Sequence, residues 1–257
     1  MSIKRRTIDG LSFEFDSSPQ MRYHDGSEHS RWSAVVDDLF CTRFANSIVQ
    51  ESALAEADAI TIHNQDVSAN TVLWSQDAVA RIRRLDIRNG IKTEQCQWLR
   101  QLVNLRLIRG RAEPFAGIDL NSYPQLEYLS LSELQHADKL RGCSRLRELL
   151  LWASHLEKFD HLFLSGCDSL QNIEFISCTG MGAPLKFSAP HVEYLQIVQP
   201  RKPCKLSNVL PSFPVLQRLS LSHVPNAFID CEPSASITTY IANDDILRSP
   251  TSKPSAA

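Results

Sequence analysis

Apolar residues recur in this chain as a short motif rather than as long amphipathic runs. The motif LxxLxL, with other aliphatics admitted, reads Leu126-Glu-Tyr-Leu129-Ser-Leu131 and again Leu146-Arg-Glu-Leu149-Leu-Leu151. It returns as Leu170-Gln-Asn-Ile173-Glu-Phe175, Val192-Glu-Tyr-Leu195-Gln-Ile197 and Leu216-Gln-Arg-Leu219-Ser-Leu221. Upstream stand Ile82-Arg-Arg-Leu85-Asp-Ile87 and Leu102-Val-Asn-Leu105-Arg-Leu107, with weaker copies centred on Ile60 and Tyr240. The central apolar positions 60, 85, 105, 129, 149, 173, 195, 219 and 240 are separated by 20 to 25 residues. Each copy closes on an apolar–polar–apolar alternation, which predicts a short strand with one face buried. Turn residues keep the same phase. Gly142-Cys143 and Gly166-Cys167 precede their strands at one position, and Pro124, Pro190 and Pro214 each stand two residues before the first apolar site.

The flanks follow other patterns. Leu11, Phe13 and Phe15 alternate after Asp9-Gly10, a hairpin-turn pair, and predict a strand. Trp32, Val35, Val36, Leu39, Phe40 and Phe44 fall at helical spacing and predict an amphipathic helix. Residues 1–56 are therefore expected to form an N-terminal cap, a hairpin plus a helix, with its aromatics in the core. Residues 246–257, ILRSPTSKPSAA, are expected to be a disordered tail.

Over residues 57–245 the motif, its period and its turns resemble the leucine-rich repeat family, whose units run 20–29 residues. The resemblance implies an α/β fold: a solenoid of about nine repeats, or horseshoe, with a parallel sheet on the concave face and short helices or turns on the convex face. One repeat cannot bury its apolar face alone, but stacked neighbours share a core. The family usually places Asn or Cys three residues after the last core aliphatic. Here that position holds Gln65, Gly90, Gly110, Leu134, Ser154, Cys178, Pro200, Val224 and Asp245, so only Cys178 conforms. The resemblance implies a non-catalytic protein-binding scaffold, with a toxin-neutralising immunity protein, a secreted effector and an adaptor as the roles it offers, in that order.

Composition narrows the chemistry. The 257 residues carry 27 Lys and Arg against 29 Asp and Glu, so the chain as a whole is not a basic nucleic-acid binder. Glycine numbers only 9, and neither GxxxxGK[ST] nor GxGxxG occurs, so no phosphate-cradling loop or cofactor is expected. No apolar run approaches the roughly 18 residues of a membrane span, and no membrane partner is expected. The stretch MSIKRRTIDGLSFEFD has positive charge but no apolar core, and so does not read as a signal peptide. Seven cysteines, an odd number without CxxC, point to reduced thiols and a cytoplasmic setting. Cys143 and Cys167 read as small buried hydrophobes. The cluster from His24 to His29, HDGSEH, has neither HExxH nor HxxEH spacing and reads as a solvated loop, so no metal site is expected. No nucleophile–base pair stands out, and catalytic residues are not expected.

If the strands run in register, the third, fifth, seventh and eighth positions of LxxLxLxx point away from the core. In the early repeats these supply Arg84, Arg88, Asn104, Arg106 and Arg109. Residues 81–111 net +7, whereas 51–80 hold five acids and no Lys or Arg. In the middle repeats the same positions supply Tyr128, Leu150, Trp152, Ile176, Tyr194 and Val198. Exposed apolar and aromatic groups there mark a partner-binding face, with Tyr128, Trp152 and Tyr194 as anchors and the arginines steering an acidic region of the partner. Two bland readings compete: another segment of the chain covers the patch, or the register slips by one at Leu149-Leu150-Leu151 and exchanges inside for outside. The alternative functions are nucleic-acid binding through the basic band at 81–111, where Trp98 is the lone stacking aromatic, or an unrecognised enzyme.

Overall fold

In the computed structural model the described residues are 80, 82–87, 97–135, 140–225, 229–231, 236–242 and 245–247, together with four strands nearer the N-terminus. The chain divides into two compact units, Met1–Leu131 and Ser132–Ala257. Among the described residues each is built on a mostly parallel sheet with few helices.

The first unit opens on an antiparallel hairpin, β1 (Ile3–Ile8) and β2 (Leu11–Asp16), in which Ile8 faces Leu11 across Asp9-Gly10. The parallel sheet follows as β3 (Ser33–Val36), β4 (Ala59–Ile62), β5 (Arg84–Ile87), β6 (Leu107–Arg111) and β7 (Tyr128–Ser132), neighbours in sequence being neighbours in space. Two expectations change here. Residues 33–36 are a strand and not part of a helix: Ala34 pairs with Ile60, and β-branched Val35-Val36 suits a pleated edge. Leu39, Phe40 and Phe44 lie outside the described residues. The motif at Leu102 is also displaced. Leu85 pairs with Ile108 and Ile87 with Gly110, so the strand frame is Leu105-Arg-Leu-Ile108-Arg-Gly110, three residues later than the spacing predicts. Both frames bury leucines: Leu99, Leu102, Leu105 and Ile108 are all fully buried. The 3-10 helix Gln97–Gln101 takes up Leu99 and delays the strand, and Gly110 permits the later frame. A Cβ there would press on the backbone oxygen of Ile87.

The second unit continues with β8 (Glu148–Trp152), β9 (Asn172–Ile176), β10 (Tyr194–Val198), β11 (Arg218–Ser222) and β12 (Thr239–Ala242), all parallel and in register. Among its described residues the one α-helical turn is α1 (Leu206–Val209). A last strand, β13 (Asp245–Leu247), runs antiparallel to β12. Ile246 and Leu247 are thus paired at the sheet edge rather than part of a tail, because the open edge of β12 offers unpaired backbone groups. Residues 248–257 lie outside the described residues.

Burial alternates along these strands as the motif requires. Leu149 and Leu151, Ile173 and Phe175, Leu195 and Ile197, and Leu219 and Leu221 are buried to 1% exposure or less. The steps between them, Leu150, Glu174, Gln196 and Ser220, are half-buried. Behind the sheet, Phe159, Phe163 and Phe187 form an aromatic core with ring centroids 4.2 Å and 5.0 Å apart.

One backbone feature repeats after each of β7, β8, β9, β10 and β11. Glu133, Ala153, Ser177, Gln199 and His223 take left-handed φ values between 44° and 59°. At Glu133, Ala153, Ser177 and Gln199 the turn aims the N–H at the next repeat: Ala153 N–H donates to the Ile176 carbonyl at 2.9 Å and Ser177 N–H to that of Val198 at 2.8 Å. The ladder is thereby extended one residue past the strand, which offsets the steric cost of φ > 0 in a non-glycine residue. The following position is where the family would place Asn or Cys. Ser154 fills that role with its hydroxyl, which accepts from Leu134 N–H at 3.1 Å and donates to the Trp152 carbonyl at 3.3 Å. Cys178 donates its thiol proton to the Leu151 carbonyl at 3.2 Å. Leu134 and Val224 instead fill the space with apolar bulk. Ser154→Ala should cost about 1–3 kcal/mol in chemical denaturation, because the Leu134 N–H is left buried without its acceptor. Ser154→Cys should recover part of it, and a loss under about 0.5 kcal/mol would remove the hydroxyl from this role.

Candidate functional site

The outward face of the second unit's sheet is ordered into columns by the in-register pairing. Adjacent strands lie about 4.8 Å apart, so residues at one motif position stand side by side. The seventh position carries Trp152, Ile176, Val198 and Ser222 in turn. The fifth carries Leu150, Glu174, Gln196 and Ser220, and the third Glu148, Asn172, Tyr194 and Arg218.

Trp152 is 49% exposed, and among the described residues only Val103 and Val215 are comparably exposed large hydrophobics. Leu150, Ile176 and Val198 beside it are half-buried. Together they make an apolar seam along one side of the face. Leu150 lies outward between buried Leu149 and Leu151, so the one-residue slip does not occur.

The other side of the face is polar and partly tied up. Arg218 places its guanidinium 5.3 Å from the Tyr194 ring centroid, a cation–π contact. The Tyr194 hydroxyl donates to Gln196 Oε1 at 2.9 Å. Burial pushes that phenol up, with Glu174 adding to the rise and Ser220 and Arg218 opposing it. Asn172 Nδ2 donates to Glu148 Oε1 at 3.3 Å, and Glu148 is only 7% exposed. Glu174 differs. It makes no hydrogen bond or ion pair among the described residues, and burial alone pushes its carboxyl up. Glu174, Gln196, Ser220 and Arg218 are missed by a search for outward aromatics, although the fifth and third motif positions point to each of them.

The expected residues of the first unit are distributed otherwise. Tyr128, at the third motif position and the start of β7, is half-buried. Arg109 is exposed on β6, opposite Asp86 in the register. Arg84 is outward in phase but only 8% exposed. Arg106 is not on the outward strand face, because the displaced frame puts it one residue before β6. There its guanidinium grips the Glu127 carboxylate, Nη2 to Oε2 2.7 Å and Nε to Oε1 3.2 Å, and ties one repeat to the next. Asn104 donates to the Ala80 carbonyl at 3.2 Å. Arg88 and the His24 to His29 cluster lie outside the described residues, as does the side chain of Trp98.

Two further groupings occur in the second unit. The Thr179 hydroxyl lies 3.0 Å from His155 Nδ1 and 3.1 Å from Glu157 Oε2. Partial burial raises the Glu157 carboxyl, but hydrogen bonds from its backbone, Thr179 and His155 override this and hold it below its ordinary 4.5. Thr179 and Glu157 both face Nδ1, so the imidazole does not stand between them as a relay. A crevice of about 230 Å³ is lined by His161, Gly166, Cys167, Asp168, Pro190 and His191 among others. The Cys167 thiol donates to the Leu140 carbonyl at 3.1 Å, and burial pushes it up to about 11, and the thiols of Cys178 and Cys204 to about 12. No group of three or more His, Cys, Asp or Glu among the described residues is placed to hold a metal ion. No helix among them is long and apolar enough to cross a membrane.

Fold and face define a repeating parallel-sheet protein with one side chain column set turned outward. Compared with known proteins, the chain matches no family model, no curated protein and no solved structure.

Proposed function

We propose that the chain is a leucine-rich repeat solenoid that acts as a non-catalytic scaffold, docking a partner protein on the outward sheet face of its second unit. The observation that carries this reading is the seam of Leu150, Trp152, Ile176 and Val198. Nothing in the fold requires apolar groups at these positions, since the opposite side chains already fill the core. Half-exposed tryptophan beside aliphatics and a tyrosine is the composition of a binding hot spot. The high thiol values of the buried cysteines and the lack of a His-mediated relay at Thr179 favour binding over catalysis. The basic band offers a phosphate backbone less than its sequence suggests, because Arg84 is buried and Arg106 is held by Glu127. The five cysteines among the described residues are free, which accords with a reducing, cytoplasmic setting. Immunity protein, effector and adaptor remain the roles that the family resemblance offers.

The test is affinity capture from native lysate with mass spectrometry, using wild type beside a Trp152→Arg/Tyr194→Arg variant. A protein recovered by wild type and lost by the folded variant supports the reading, and equal recovery by both sinks it. With that partner in hand, Trp152→Ala should weaken binding by about 2 kcal/mol, roughly 30-fold, with an unchanged denaturation midpoint. Unchanged affinity in calorimetry would remove Trp152 as the anchor.

A further inference from the structure

The seam that would seat a partner runs beside a carboxylate with nothing to hold. Glu174 stands at the centre of the outward face, on the middle strand of β8, β9 and β10. Leu150 is its register neighbour on one side and Gln196 on the other. Ile176 and Asn172 flank it along its own strand, on the same face. Among the described residues no neighbouring donor bonds it. The Asn172 amide donates to Glu148, Gln196 Oε1 accepts from the Tyr194 hydroxyl, and Arg218 lies over the Tyr194 ring. Leu150 and Ile176 strip water from one side of the carboxylate without replacing its hydrogen bonds, which is unfavourable for an anion. A docked apolar partner would strip the rest and deepen that cost, unless it brought a positive charge.

We propose that the partner segment taken by this face carries a lysine or arginine next to an aliphatic or aromatic residue. The cation seats on Glu174 between Leu150 and Gln196, and its apolar neighbour packs on Trp152 and Ile176. This inference rests on the docking reading above and adds the chemistry of what docks. Charge complementarity selects the occupant. An acidic segment would meet Glu174 with Glu148 one column away. A hard metal ion would want several oxygen ligands where one carboxylate is offered. A basic side chain matches both the charge and the aliphatic wall, since its methylene stem covers apolar surface while its head reaches the carboxylate.

The experiment is a selection of a random peptide library displayed on phage, run in parallel on wild type, Glu174→Gln and Trp152→Arg. Synthetic peptides of the enriched consensus follow, with the basic residue kept or replaced by glutamine. Wild type should enrich peptides pairing Lys or Arg with an apolar neighbour. Glu174→Gln, nearly isosteric, should bind the consensus tenfold to a hundredfold more weakly. Replacing the peptide's basic residue should weaken wild type by a similar factor and leave Glu174→Gln almost unchanged. Trp152→Arg should enrich none of them. If wild type and Glu174→Gln enrich the same peptides while Trp152→Arg loses them, the face docks a partner but the cation inference is overturned. Enrichment of acidic peptides overturns it equally. If wild type enriches nothing, or Trp152→Arg enriches the same set, the docking reading itself fails and takes the inference with it.

Discussion

Phe163→Ala should lower the stability of the second unit by about 3–5 kcal/mol, the range for deleting a well-packed aromatic from a core. Phe163 is fully buried and central to its cluster. Its ring stacks on Phe159 at 4.2 Å and 30° and meets Phe187 edge-on at 5.0 Å and 70°. Phe159 and Phe187 are themselves 6.5 Å apart, so removing the middle ring leaves both facing a void. These rings lie outside the strand motif, in the connections behind β8, β9 and β10. They fill space that the regular leucines do not reach. In a repeat protein each unit leans on its neighbours, so the loss is felt by the repeats on either side. Equilibrium denaturation followed by far-ultraviolet circular dichroism reads the effect as a lower midpoint. A shift corresponding to less than about 1 kcal/mol would mean the rings are not packed as a unit.

Gly180→Ala should cost about 3 kcal/mol or more, because two penalties coincide there. The residue sits at φ +92°, a left-handed conformation that a Cβ disfavours. The added Cβ would also collide with the backbone nitrogen and the carboxylate of Glu157. The carboxylate can swing aside. The backbone nitrogen cannot, since the neighbouring Leu156 N–H is bonded to the Thr179 carbonyl at 3.0 Å. Gly166→Ala is the control. It shares a left-handed φ, +77°, but its Cβ would meet only Gly142, at 3.1 Å, in a turn with no side chain to displace. It should therefore lose less, roughly 1–2 kcal/mol, mostly from the backbone conformation. Equal losses in the two variants would show that conformation, not collision, sets the cost at Gly180.

What this protein's sequence determined by itself is the repeat and its inside–outside phase. Strand alternation is a local property with a period of two, and it can be read from neighbouring residues. Leu149 and Leu151 inside with Leu150 outside, or Ile173 and Phe175 inside with Glu174 outside, follow from the motif. The hairpin at Asp9-Gly10 is local in the same way. Tertiary structure decided what depends on distant neighbours. The run from Leu102 to Gly110 offers two frames, and the motif alone favours the earlier, since the later puts Gly110 where an aliphatic is expected; the pairing with β5 takes the later one, which the close approach of Gly110 to Ile87 permits. That choice moved Arg106 off the outward face and onto Glu127. The strand at Ser33–Val36 needed β4 beside it, and β13 needed the open edge of β12. The missing partner of Glu174 belongs to the same class. The sequence places a glutamate on that face, but whether a donor reaches it depends on three strands at once, and there Asn172 donates to Glu148, Arg218 lies over the Tyr194 ring, and no described donor bonds Glu174.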